Sequence, residues 1–186
     1  ASELMDAEMD IIASACLVAI MCQGLGYHRI AEKMIAESIG EIAPPIVSSA
    51  GALINSLKDI GARKISFIAP YVSDLTKSVS DYIEHEGIEV QDYLALEIPS
   101  NIKVGQHDPM ALCELVKSLK TTDVDAIVLS ACVQMPSLPA LEIVQKEFEV
   151  PVLSTSTATV FQILKALGLP TRIPNAGGLL SGELDE

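Results

Sequence analysis

The 186-residue chain has no tryptophan, only 4 % aromatic residues, four cysteines, and 12 Lys+Arg against 25 Asp+Glu. Each shortage excludes a class of protein. With a net charge of −13 and no basic run, nothing is available to neutralise a phosphate backbone, so no nucleic-acid partner is expected. The longest apolar stretch, Ile11 to Cys22, is interrupted by Ser14 and falls short of the roughly 18 residues that a membrane span needs. A soluble chain with no membrane partner is therefore expected. The first ten residues carry Glu3, Asp6, Glu8 and Asp10 and no basic segment, which does not read as a signal peptide. Cys16, Cys22, Cys113 and Cys132 form no C-x-x-C and have no histidine at ligand spacing. Neither a disulfide scaffold nor a metal site is expected, and the setting reads as reducing and cytoplasmic.

What is abundant is aliphatic: 49 % of the chain is hydrophobic, which supports a folded core. Short apolar runs alternate with amphipathic stretches. The runs predict strands at Asp10–Ala15, Pro45–Ser48, Lys64–Ile68, Glu89–Leu94, Ala126–Ser130 and Val152–Ser154. Between them the spacing predicts helices at Val18–Ser38, Ala50–Ile60, Asp74–Glu86, Pro109–Leu119, Leu138–Glu147 and Ala158–Leu167. Apolar strands separated by helices give an α/β fold with parallel sheets. Asp108 before Pro109 reads as a helix cap followed by proline in the first turn. Gly61, Gly87 and Gly168 stand where helices end in a left-handed residue.

The chain repeats itself. Ile11-Ile12-Ala13-Ser14-Ala15-Cys16-Leu17 aligns with Ile127-Val128-Leu129-Ser130-Ala131-Cys132-Val133 at an offset of 116 residues. Pro45-Ile46-Val47-Ser48-Ser49-Ala50 then aligns with Pro151-Val152-Leu153-Ser154-Thr155-Ser156 at an offset of 106. Each second match leads into a helix ending Lys-x-x-Gly. Two copies are too few for a solenoid and point to two related lobes, divided as 1–56 plus 160–186 and 57–159. A strand–helix–strand unit beginning near Lys64 precedes Cys132, whereas only fifteen residues precede Cys16. The first lobe is therefore expected to lack its opening βαβ unit, as a fragment of a longer protein would.

Open parallel sheets bind ligands beyond the carboxyl ends of their strands. Cys16 and Cys132 sit where strands end and a helix is expected to begin, with the backbone amides of Leu17, Val18, Val133 and Gln134 facing the cleft. A helix N-terminus lowers a thiol pKa and accepts anions. Two thiols from equivalent positions would flank one small substrate. Ser48, Ser49, Ser154 and Thr155 read as helix caps or as donors to a carboxylate, and His28 with Arg29 as a pair near the cleft mouth, on the surface or supporting the residues that line it. Cys22 and Cys113 read as core thiols.

Ala15-Cys16-Leu17-Val18-Ala19-Ile20-Met21, Gly24-Leu25-Gly26-Tyr27-His28-Arg29 and Leu129-Ser130-Ala131-Cys132-Val133-Gln134-Met135 resemble maleate cis–trans isomerases of the aspartate/glutamate racemase superfamily. Ala69-Pro70-Tyr71, Glu97-Ile98-Pro99 with Asn101, His107-Asp108-Pro109 and the tail Ala176–Gly182 are similar to the same family. The resemblance implies two pseudo-symmetric Rossmann-like parallel-sheet lobes, a homodimer, and isomerisation of maleate, a small dicarboxylate, without a cofactor. It implies Cys16 as the thiolate that adds to the double bond and Cys132 as its acid/base partner. Tyr71 and Asn101 would hold the substrate carboxylates. The family's Pro-Ser-Ser-Asn-Thr-like turn, whose Asn binds substrate, has no counterpart before Cys16. An amino-acid racemase using both thiols is the alternative within the fold, although Leu17-Val18 replace the Asn-Thr that follows a racemase's first cysteine. A non-catalytic binding module, or an inactive fragment, is the alternative outside it.

Overall fold

The computed structural model describes residues 1–182. Two parallel sheets carry the fold. In the smaller, β1 (Ile12–Ser14) pairs with β2 (Ile46–Ser48); in the larger the strand order is β4 (Glu89–Ala95), β3 (Lys64–Ala69), β5 (Ala126–Ser130), β6 (Val152–Ser154). All six expected strands form. The central β5 is buried along its whole length, as a parallel strand covered on both faces requires.

The repeat is visible in strand pairing. Ser14 lies opposite Ser48 in the first sheet, and its counterpart Ser130 lies opposite Ser154 in the second. Helix α3 (Ser49–Asp59) follows β2 and α8 (Thr155–Ala166) follows β6. Each begins at a serine whose hydroxyl accepts a first-turn amide: Gly51 N–H on Ser48 at 3.0 Å, Thr157 N–H on Ser154 at 3.2 Å. The capping reading of these serines therefore holds. These two helices pack on each other, and their polar contacts join positions 106 residues apart. Gln162 Nε2 donates to Ser56 Oγ at 3.1 Å, and Lys165 Nζ reaches Asp59 Oδ2 at 2.7 Å.

Two expected helices are corrected. Val18–Ser38 is not one helix but two, α1 (Leu17–Met21) and α2 (Tyr27–Ile39). Gly24 and Gly26 separate them with φ of 133° and 70°, angles that an L side chain resists. Pro109–Leu119 is a 3-10 turn, one α-turn (α6, Leu112–Leu115) and a second 3-10 turn. Asp108 caps it as expected, accepting the Met110 amide at 2.9 Å. Two helical segments went unread: a 3-10 helix at Ser2–Ala7 and α5 (Asn101–Gly105). The remaining helices are α4 (Ser73–His85) and α7 (Leu138–Gln145), and the tail forms a short 3-10 turn at Gly178–Leu180 that packs against β6 and α8. Gly61, Gly87 and Gly168 adopt the left-handed conformation predicted for them.

Around α1, three helices are tied by one buried carboxylate. Glu86, after α4, has a side chain only 3 % exposed and receives both Arg29 nitrogens from α2, at 2.7 and 2.5 Å, and Lys58 from α3 at 3.0 Å. The Arg29 hydrogen bonds, helped by Lys58 and opposed by burial, hold its carboxyl at a pKa of about 2 against an ordinary 4.5. A depressed carboxylate stabilises the fold above its ordinary pKa and loses that contribution as pH falls. We expect unfolding free energy to drop by about 2 kcal/mol as acid takes Glu86 from its ordinary range down through its folded value, with the exposure of Arg29 and Lys58 limiting the figure. Glu86→Gln should be destabilised at neutral pH and show a flatter acid limb in denaturant titrations. An unchanged limb would remove Glu86 from the linkage.

Candidate active site

The carboxyl ends of β1, β3 and β5 converge. Cys16 follows β1 as the N-cap of α1, in extended conformation (φ −142°, ψ 94°) and exposed. Cys132 follows β5 and is buried. Tyr71 follows β3, and Asn101 opens α5. One cleft of about 90 Å³ is lined by Cys16, Leu17, Val18, Tyr71, Asn101, Cys132, Val133 and Gln134, together with Ala15 and Val104. All eight residues singled out in the sequence thus meet in one place, three from the first copy of the cysteine motif and its helix (Cys16, Leu17 and Val18) and five from Tyr71 onward. Ala15 and Val104 were missed. Val104 lies three residues after Asn101, so recognising the helical turn there would have placed both on one face.

A larger crevice of about 440 Å³ between α7 and the tail is lined by Glu142, Gln145, Glu149 and Arg172, among others. It contains no thiol. Size alone does not make it the reactive site.

The two cysteines are presented differently, which corrects the sequence expectation. A helix does begin at Leu17. After Cys132 the chain instead runs irregularly to Ser137, and α7 starts only at Leu138. Cys132 therefore has no helix N-terminus beside it, and its loop is held by side chains. Ser130 Oγ donates to the Cys132 carbonyl at 2.9 Å, Ser156 Oγ to the Val133 carbonyl at 3.2 Å, and Gln134 Nε2 to the Asn101 carbonyl at 2.8 Å.

Tyr71 shows how close the sulfurs come to one phenol. Its hydroxyl is pushed far above the ordinary tyrosine range, first by burial, then by the charge of Cys132 and a hydrogen bond with it, and then by Cys16 and Cys22. It stays protonated at any working pH and serves the cleft as a neutral donor. Cys22 ends α1 exposed rather than in the core. Its thiol is raised by burial and by the Cys16 charge, so an ionised Cys16 keeps Cys22 protonated.

His28 does not line the cleft, and it is no surface residue. It is 2 % exposed, with Nδ1 2.6 Å from the Tyr82 hydroxyl and its own amide donating to the same oxygen at 3.0 Å. Burial lowers its pKa, which suits a neutral ring receiving the phenol proton. Among the described residues no group of His, Cys, Asp and Glu is arranged to hold a metal ion, and no helix is long and apolar enough to cross a membrane.

Comparison with known proteins places the chain in a family. The sequence matches the arylmalonate decarboxylase family over residues 6–180. It is 55 % identical to the maleate isomerase of Geobacillus stearothermophilus, over 98 % of this chain and 74 % of the relative. The crystal structure of a cysteine-to-alanine form of the maleate isomerase Iso from Pseudomonas putida S16 with maleate superposes with a TM-score of 0.94 at 50 % identity, covering 97 % of this chain and 73 % of that one. A Nocardia farcinica maleate cis–trans isomerase, a cysteine-to-serine mutant with a covalently bound succinylcysteine intermediate, gives a TM-score of 0.93 at 40 % identity, covering 97 % and 75 %. Arylmalonate decarboxylase itself shares the fold, with a TM-score of 0.84 at 19 % identity over 96 % of this chain and 78 % of that one. The chain belongs to the arylmalonate decarboxylase family and, within it, to the maleate isomerases.

Proposed function

We propose that the cleft converts maleate to fumarate by reversible thiol addition, with Cys16 as nucleophile and Cys132 as proton donor and acceptor. The observation that carries this reading is the convergence of two thiols, from equivalent positions of a repeat, on one small cleft with a protonated tyrosine beside them. The Cys16 thiolate attacks one alkene carbon and forms a C–S bond. The displaced electron pair moves to the other alkene carbon and into its carboxylate. The Cys132 thiol then protonates that carbon. The product is a succinyl thioether whose central C–C bond is single and turns freely. After rotation the Cys132 thiolate removes the proton it gave, the C–S bond breaks, and fumarate leaves with Cys16 again a thiolate. One hard step has become two easier ones, and atoms and charge balance within two sulfurs without a cofactor.

Both carboxylates need neutral donors in a chain this acidic. The first-turn amides of Leu17 and Val18, free because a helix leaves its opening N–H groups unpaired, serve one side. The amides of Val133 and Gln134, with Tyr71 and Asn101, serve the other. We read the enzyme as a cytoplasmic homodimer; four unpaired cysteines suit a reducing compartment.

The test is direct. The protein is incubated with maleate alone while maleate absorbance is followed and fumarate is measured by proton NMR. We expect fumarate to form without any additive. Absence of fumarate, or racemisation of aspartate or glutamate in its place, overturns the reading.

A further inference from the structure

The two cysteines are flanked by free amides for different physical reasons. On the Cys16 side the amides are the first turn of α1. On the Cys132 side no helix follows, and some other feature must stop the peptides after Cys132 from turning their N–H groups away. We propose that Ser130 and Ser156 are positioning residues whose hydroxyls fix the Val133 and Gln134 amides toward the cleft and so complete a dicarboxylate site. This rests on the reading of the cleft given above.

The geometry is that of two anchored peptide planes. Ser130 Oγ donates to the Cys132 carbonyl at 2.9 Å inside the protein, and Ser156 Oγ donates to the Val133 carbonyl at 3.2 Å. Among the described residues no peptide bond is cis. In a trans peptide the C=O of one residue and the N–H of the next point in opposite directions. Holding the Cys132 carbonyl on Ser130 therefore sends the Val133 N–H the other way, and holding the Val133 carbonyl on Ser156 does the same for the Gln134 N–H. Cys132, Val133 and Gln134 all line the cleft. Among the described residues neither of the two amides meets a protein acceptor. Gln134 adds a third anchor, since its side-chain amide donates to the Asn101 carbonyl at 2.8 Å and binds the loop to the turn that carries Asn101.

The repeat supplies an internal control. At the offset of 106 the counterpart of Ser156 is Ala50, which has no hydroxyl. In that half α1 begins directly after Cys16, so the amides are free without an anchor. The Ser156 hydroxyl is thus present in the half that has no helix to do this work and absent in the half that has one, whereas Ser130 has a serine counterpart, Ser14, and the control concerns Ser156 alone. A Ser156 hydroxyl that only satisfied a part-buried carbonyl would not need to follow this division.

The experiment compares wild type, Ser130→Ala, Ser156→Ala, the double variant and Ser156→Thr, which keeps the hydroxyl. Steady-state turnover of maleate is one readout. The backbone amide resonances of Val133 and Gln134, titrated with succinate as an unreactive dicarboxylate, are the other. We expect each alanine variant to raise KM about five- to tenfold, the worth of one hydrogen bond, with Ser156→Thr close to wild type. The succinate-induced shifts of the two amides should shrink in the double variant. Alkylation of Cys16 by iodoacetamide should stay within about twofold in every variant, as a site independent of these anchors would. If wild type turns over maleate but the double variant keeps its KM and its amide shifts, the inference fails and the function stands. If Ser156→Thr is as impaired as Ser156→Ala, the hydroxyl is not the operative group and the inference also fails. If wild type makes no fumarate, the functional reading fails. The inference then survives only if succinate still shifts both amides in wild type and not in the double variant.

Discussion

Cys16→Ala should lower maleate turnover by about 10⁵-fold, the scale seen when an enzyme loses its covalent nucleophile. Without the C–S bond the substrate keeps its double bond, and hydrogen bonds to the carboxylates cannot supply the rotation. Cys22 cannot take over. It ends α1 outside the cleft lining, and the neighbouring Cys16 charge and burial both favour its protonated form. Cys22→Ser should therefore stay within about twofold of wild type, as expected for a side chain outside the reacting set. The pair of variants, assayed for fumarate by NMR, separates a nucleophile from a thiol that is merely near one. Residual turnover above about 1 % in Cys16→Ala, far more than a lost nucleophile allows, would remove Cys16 from that role.

Cys132→Ser should cost about 10³-fold, within the range for a lost general acid/base, and should do so with a different signature. A serine hydroxyl at this buried position holds its proton far too tightly to accept and return one near neutral pH. Addition to Cys16 can still draw a proton from water, whereas elimination waits for a base that is no longer there. The covalent adduct should then accumulate. Intact mass after exposure to maleate should show one added maleate, and peptide mapping should place it on Cys16. An adduct on Cys22 or Cys113, or full turnover without any adduct, would sink the assignment.

The sequence carried the strands well because a buried parallel strand is an apolar run; at Ala126–Ser130 and Val152–Ser154 run and strand coincide. It carried the cleft because a repeat with cysteines at equivalent strand ends leaves few places for them to go. Its failures have local causes. The helix expected over Val18–Ser38 runs through Gly24 and Gly26, and their positive φ breaks it. The helix expected after Cys132 is replaced by a loop held by Ser130, Ser156 and Gln134. Ser156 comes from α8 and Gln134 reaches the turn that carries Asn101, so no local pattern announces those two contacts; only Ser130, two residues before Cys132, is local. His28 looked exposed because its partner Tyr82 lies fifty-four residues away; burial by a distant element leaves no mark on periodicity.

The seam between α3 and α8 has a consequence for descent. At Ser56 with Gln162 and Asp59 with Lys165, each position touches its own counterpart, as residues beside a twofold axis do in an isologous pair. Two identical ancestral chains meeting there would have set like against like, aspartate facing aspartate or lysine facing lysine. Once both copies were joined in a single gene, each could mutate alone, and an acid could be matched with a base. The Asp59–Lys165 bridge is thus a contact that two identical copies about a twofold axis cannot make.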